Sequence, residues 1–328
     1  MKRTLMVLVS LFVAIGFAAA LPAGWDWADL SHKKDDVAGI LPYMNPLKVQ
    51  GDIVTSGSST VFPLSERMAS RFAKEGYKGQ IKLDSIGTGA GMERFAKGEC
   101  DIGNASRGIN QKEADAAKAA GMNVLEFRVA TDALTIIANK GNKFLTNLTK
   151  DQVAKLFVAE KWSDVDATWP AEKIMRFVPS AEHGTFDYFA EVFYAKKKEP
   201  LLNAPNTSPN QDYNLLITGV EGNVNALGFI GYSYFEDSAA KLKAISYEGV
   251  FGNAKTVDDG SYKLARPLFM YVDAKVLKAK PQVAAFINYY LTFVNQEVKK
   301  VGFFPAPAAA LSASKKSWAD ALADVLKK

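Results

Sequence analysis

Four times between residues 53 and 193 the sequence passes from a β-rich run into a turn of glycine and small hydroxyl residues. The turns are GSST (57–60), GTGAG (87–91), NASRG (104–108) and HGT (183–185). At least three of them open a helix. Val61, Leu64, Met68 and Phe72 follow the first turn at helical spacing, with Gly76 as a stop. MERFAKG follows the second, and Phe186, Phe189 and Phe193 follow the fourth. Strands alternating with helices predict α/β layering with mostly parallel strands. In open sheets of that kind such turns gather at the carboxyl ends of the strands, where ligands bind. Converging helix starts offer backbone N–H groups and positive partial charge without mobile cations. A small, dehydrated oxyanion suits such a seat.

The other segments fit the same plan. KEADAAKAAG predicts a polar helix, VLEFRVATDALTIIANK a strand pair, and LTKDQVAKLFVAE a helix capped by Thr149 or Thr146. MRFVPS is a strand leading into the fourth turn. NQDYNLLITGVEGNVNALGFIGYSYF holds a helix and then a strand, and LKAISYEG, LARPLFMYV and the helix QVAAFINYYLTFVNQEV follow. PAPAAAL (305–311) predicts a low-complexity connection to a short final helix. At the N-terminus, Lys2 and Arg3 precede the apolar run LMVLVSLFVAIGF, which ends at Ala18-Ala19-Ala20. That order predicts a signal peptide over 1–20, cleaved after Ala20, with no cysteine nearby for a lipid anchor, and hence an exported protein. Residues 21–50 carry WDWADLSHKKDD and ILPYMNPLKV, and predict an extended arm. The remainder exceeds the size at which one core divides, and 48% of the chain is apolar, so two lobes are expected.

Several functions fit poorly. Cys100 is the only cysteine, so it forms no internal disulfide; within GECDIG it is expected in a strand as a buried, inert thiol. No Cys or His cluster suits zinc, and no cofactor is expected. GTGAG is not the GxGxxG dinucleotide fingerprint, because its third glycine comes one residue early. The net charge of +5 is mild and the lysines are scattered; Lys196-Lys197-Lys198 is expected at a solvated helix end. A nucleic-acid groove would need clustered basic and aromatic residues. A secreted phosphoesterase would need an activated nucleophile or metals. The chain has two histidines, His32 and His183, and no G-x-S-x-G elbow. Ser180 or Ser106 with His183 and a glutamate is the only triad within reach.

The motifs SGSSTVFPL, SIGTGAGMERF, GECDIGNASRGI, SAEHGTFDYF, NALGFIGYSYF and VGFFPAP, in this order, resemble the periplasmic phosphate-binding proteins of ABC transporters. The resemblance covers nearly all of residues 51–311. It implies two α/β lobes joined by two crossing strands, with the anion in the cleft. On this plan 51–132 plus 245–328 form the first lobe and 133–244 the second. It further implies a periplasmic, monomeric carrier of inorganic phosphate that docks on a membrane permease; another tetrahedral oxyanion is the alternative ligand.

Carried over by position, Ser59, Thr60 and the N–H of Val61 contact phosphate at the first helix start, and Thr88 and Gly89 at the second. Ser106 and Arg107 fall in the third loop, and His183, Gly184 and Thr185 occupy the Ser-Gly-Thr helix start. The best-known branch has an Asp where this chain has Arg107, and an Arg where it has Pro179. A second branch, similar to cyanobacterial members, pairs an ASR loop with Glu-Ser-Gly-Thr, and this chain fits it better, with His183 replacing the serine. At pH 7 phosphate keeps a proton that sulfate lacks, so a fixed carboxylate favours phosphate. Glu182 is the expected acceptor, with Asp187 and Asp212 as alternatives; it also stands where a carboxylate would cap the helix or face water. Arg107 is expected to offer a bidentate fork. His183 either donates a ring N–H to the anion or lends only its backbone.

Overall fold

The computed structural model describes residues 46–326 together with Leu41, Trp27–Ala28 and Tyr43–Met44. The expected signal peptide and most of the expected arm lie outside the described residues. The strand–turn–helix repeats build one flank of a large mixed sheet. Strand β1 (Ile53–Gly57) leads to helix α1 (Phe62–Lys74), β2 (Ile81–Ser85) to α2 (Thr88–Ala96), and β3 (Ile102–Ala105) to α3 (Gln111–Ala119). β1 pairs in parallel with both β2 and β3, as crossover helices require. Helix α1 buries Leu64, Met68 and Phe72 on one face.

The stretch expected as a strand pair is instead one strand, β4 (Val124–Asn139). No glycine or proline interrupts it, and from Val129 to Ala138 every residue is buried. At about 3.3 Å per residue it extends roughly 50 Å, long enough to serve two lobes. Beyond it come α4 (Lys150–Leu156), β5 (Met175–Pro179), α5 (Gly184–Tyr194), β6 (Thr207–Asn210), α6 (Tyr213–Glu221) and β7 (Ala226–Gly231). The chain then returns through β8 (Ala265–Asp273), α7 (Pro281–Glu297) and α8 (Ala308–Leu326). The sheet order is β2-β1-β3-β8-β4-β7-β5-β6. Residues Val124–Ala133 of β4 pair antiparallel with β8, and Leu134–Ala138 pair antiparallel with β7. The two halves of this one strand therefore belong to different lobes.

Each lobe has its own core. Phe72, Phe127, Phe286, Tyr290 and Trp318 lie in the first, and Phe157, Trp162, Phe189, Leu216 and Phe229 in the second. Ile245, Tyr247, Val257, Tyr262 and Leu264 pack into the second core. The final helix has 19 residues and is not short. Its Leu311, Trp318 and Leu322 are buried in the first core, and the Trp318 indole N–H donates to Asn288 Oδ1 at 2.9 Å. That burial adds tertiary support to a helix that its alanine-rich sequence already favours locally. Cys100 stands just before β3, buried, and burial pushes its thiol up to about 12. Among the described residues no helix is long and apolar enough to cross a membrane.

Candidate functional site

The first three turns are stitched side by side. Gly57 has φ +140°, and a side chain there would collide with the Asn104 carbonyl. The Ser58 N–H donates to that carbonyl at 2.9 Å, while Ile86 and Gly87 N–H donate to Gly57 O at 3.0 and 2.9 Å. Thr88 Oγ1 and Ser106 Oγ lie 3.2 Å apart, and the Ser106 N–H donates to Thr88 Oγ1. Ser59, Thr60, Thr88, Gly89, Ser106 and Arg107 thereby line one cleft of about 600 Å³. Helix α2 begins there, at Gly87, with no side-chain cap hydrogen bond; at the start of α1 the Ser58 Oγ accepts from the Thr60 N–H at 3.2 Å, and buried Val61 does not line the cleft. The first N–H groups of an α-helix have no intrahelical acceptor, so the start of α2 faces the cleft with donors to spare. Helices α3 and α4 carry complete capping boxes at Asn110 and Thr149.

The fourth turn is organised differently. His183 caps α5: its Nδ1 accepts from the Thr185 N–H at 3.1 Å. That bond assigns the ring proton to Nε2, and burial lowers the imidazole's pKa below the ordinary value. Thr185 is buried, with its hydroxyl 2.6 Å from that of Tyr213, and the Tyr213 ring lies 4.8 Å from the imidazole. Gly184 presses against the first turn. A Cβ there would stand 2.9 Å from Thr60 Cα and 3.1 Å from Ser59 O, so this interlobe contact requires glycine. His183, Gly184 and Thr185 line a smaller pocket behind the cleft.

The structure sorts the three candidate acceptors. Glu182 is exposed and outside the cleft, its carboxyl held low by its own backbone N–H. Asp212 caps α6 through the Asn214 N–H at 2.8 Å. Asp187, in the first turn of α5, lines the cleft, accepts from the Ser59 hydroxyl at 2.9 Å and pairs with Lys198 at 2.6 Å. Lys198 also donates to Ala181 O, so the end of the lysine run is tied down and not merely solvated.

Arg107 lines the cleft with its side chain 43% exposed. Both terminal nitrogens are taken by Glu113, at 2.8 and 2.7 Å. A second arginine, missed in the sequence, stands at the centre. Arg266 on β8 lies opposite Asp132 on β4, and its Nε donates to Asp132 Oδ2 at 3.2 Å. Its terminal nitrogens reach Thr60 Oγ1, Ser106 Oγ at 3.5 Å and Gly184 O at 3.4 Å. The signal available was a lone charge in each of two apolar strands, VATDALTII and LARPLFMYV, since a buried charge needs a partner or a purpose. The cations lining the cleft are Arg107, Lys196, Lys198 and Arg266. Each has a carboxylate within 4 Å: Glu113, Glu191, Asp187 and Asp132 respectively. Formal charge at the cleft is therefore balanced, and a guest meets oriented donors more than net charge.

A family profile described as a PBP superfamily domain matches residues 46–292. The phosphate-binding protein PstS of Staphylococcus haemolyticus is 34% identical over 286 residues, covering 85% of this chain and 86% of the relative. Protein SphX of Synechococcus elongatus is 36% identical over 291 residues, covering 85% of each. Among solved structures, a possible phosphate binding protein from Planctomyces limnophilus matches with TM-score 0.78 at 36% identity, over 84% of this chain and 99% of that one. A putative phosphate ABC transporter substrate-binding protein with bound phosphate from Clostridium perfringens matches with TM-score 0.52 at 26% identity, over 78% and 100%.

Proposed function

The chain belongs to the PBP superfamily and within it to the PstS-like periplasmic phosphate-binding proteins, and from that membership we propose that it captures inorganic phosphate and delivers it to the permease of an ABC transporter. The observation that carries this reading is the meeting, at one charge-balanced cleft, of the uncapped start of α2, the turn that opens α1 and the hydroxyls of Ser59, Thr60, Thr88 and Ser106. Backbone and hydroxyl donors suit an anion whose water has been stripped away. Asp187, not Glu182, is the carboxylate we assign to the ligand's proton, because it alone of the three candidates lines the cleft. We assign His183 a capping role: it lines the smaller pocket and not the cleft, so its Nε2–H is not a donor to the anion there.

The same reading includes export by a signal peptide over 1–20, a monomeric carrier, and binding without turnover. It divides the lobes near Leu264–Ala265, since Ile245–Leu264 supplies side chains to the second core. Titration calorimetry of the full chain tests it: phosphate binds tightly and sulfate competes weakly. Equal competition by sulfate would point to a different oxyanion carrier, and steady hydrolysis of a chromogenic phosphate ester would replace the binder by an enzyme.

A further inference from the structure

Resting on the phosphate reading, we propose that Arg266, seated by Asp132 on the two crossing strands, is the cation that grips the anion and couples its capture to lobe closure, and that Arg107 is not. The two guanidinium groups differ in what they have left to give. Arg107 spends both terminal nitrogens on Glu113 and a further bond on Gly108 O at 3.0 Å, with its side chain 43% exposed at the rim. Its fork is already filled by a carboxylate of the shape it would offer to phosphate. Arg266 is 10% exposed and commits its Nε to Asp132, leaving both terminal nitrogens toward the turns. Those nitrogens meet three of the four turns that sequence alone marks as anion seats.

Asp132 makes that placement possible. It is wholly buried, and its Oδ1 has no hydrogen-bond partner. A carboxylate in so dry a place is tolerated only with a cation beside it, and burial pushes its pKa up while Arg266 pulls it down. In return it holds Arg266 in one orientation. Asp132 thus acts as a positioning residue, not a ligand.

The position on the crossing strands supplies the coupling. Arg266 reaches Thr60 and Ser106 of the first lobe and, in the second, Gly184 O, Glu191 at 3.6 Å and the Tyr188 ring at 3.8 Å. One side chain contacts both walls. An anion bound to its terminal nitrogens would be shared between the lobes, and a ligand favours whichever conformation it contacts better.

Phosphate titration calorimetry on the full chain, with thermal unfolding of every variant, is the test. Arg266→Lys keeps a charge but loses the fork, and is expected to weaken binding at least about tenfold. The double variant Arg266→Gln/Asp132→Asn leaves no unpaired buried charge, so it guards against misfolding, and should weaken binding about a hundredfold. Asp132→Asn alone should weaken binding, yet add nothing on top of Arg266→Gln; this non-additivity marks a positioning role, whereas a purely structural one would add. Arg107→Ala should cost less than about fivefold. Small-angle scattering should show the double variant failing to contract at saturating phosphate. Near-wild-type affinity in the folded double variant, or an Arg107→Ala loss equal to that of Arg266→Gln, overturns the assignment and leaves the carrier function standing. A wild-type chain that binds no phosphate overturns both.

Discussion

The helix starts on the two sides of the cleft solve the same electrostatic problem in opposite ways. On the first lobe, α2 opens without a side-chain cap, while at α1 the Thr60 N–H is held by Ser58 Oγ at 3.2 Å. On the second, α5 is capped from within by His183, and its threonine is locked to Tyr213. A bare helix start needs a guest; a capped one does not. In the binding mode proposed above, the first lobe therefore supplies the donors. The second supplies a stiff wall that carries Asp187, Tyr188 and Glu191 and presses Gly184 onto the first turn. A two-lobed binder built this way does not need matched halves, only one vacant set of donors and one surface that fits over it.

The largest expected effect comes from breaking the fit. Gly184→Val places a branched side chain against Thr60 and Ser59 O. It should weaken phosphate binding by about a hundredfold or more, and scattering of the phosphate-saturated variant should keep the radius of gyration of the open form. Binding and contraction like wild type would show that Gly184 is not the closing contact. Next comes removal of a donor from the first lobe. Ser106→Ala should weaken binding by at least roughly tenfold, the cost of about 1.5–3 kcal/mol for a lost hydrogen bond to a charged group, read by calorimetry.

Asp187→Asn sharpens the comparison from the other side. It should reduce the preference for phosphate over sulfate by about tenfold, because the acceptor for the ligand proton is gone, while Glu182→Gln, outside the cleft, leaves that preference intact. Competition titrations of the two variants decide between these carboxylates. The smallest effect belongs to the cap. His183→Ala should lower stability by about 0.5–2 kcal/mol, measured by chemical denaturation, with a modest change in affinity. The cap also has a pH signature. Nδ1 accepts the Thr185 N–H, so protonation deletes it, and burial holds the folded pKa below the ordinary ~6.5 while the Asp187 charge opposes this. Stability from this residue is complete above about pH 6.5 and is lost as pH falls through the depressed folded value. In His183→Asn, which keeps a cap without a titration, that slope should vanish.

The turns were legible because their chemistry is local. Glycine and hydroxyls directly after a β-rich run, with helical periodicity beyond, describe a strand–turn–helix unit whatever surrounds it. All four appear at the interface of the lobes. The strand β4 was misread because sixteen residues exceed the usual strand, and only its two partners, β8 and β7, show why it continues. The final helix was underestimated in length: its alanines favour a helix locally, and Trp318 and Leu322 anchor it in the first core.

What the amino-acid order determined by itself is thus everything carried by neighbours in the chain: the four strand–turn units, the α/β layering and the buried faces of α1 and α5. What only the tertiary structure decided is which groups share the cleft. Arg266 and Asp132 lie 134 positions apart, Ser59 and Asp187 lie 128 apart, and Glu182 sits five residues from Asp187 yet faces away. Hydrogen bonds and ion pairs act over about 3 Å in space, while one residue of strand advances the chain by about 3.3 Å. Sequence proximity therefore places a residue on an element, and only the packing of whole elements brings it within reach of a ligand.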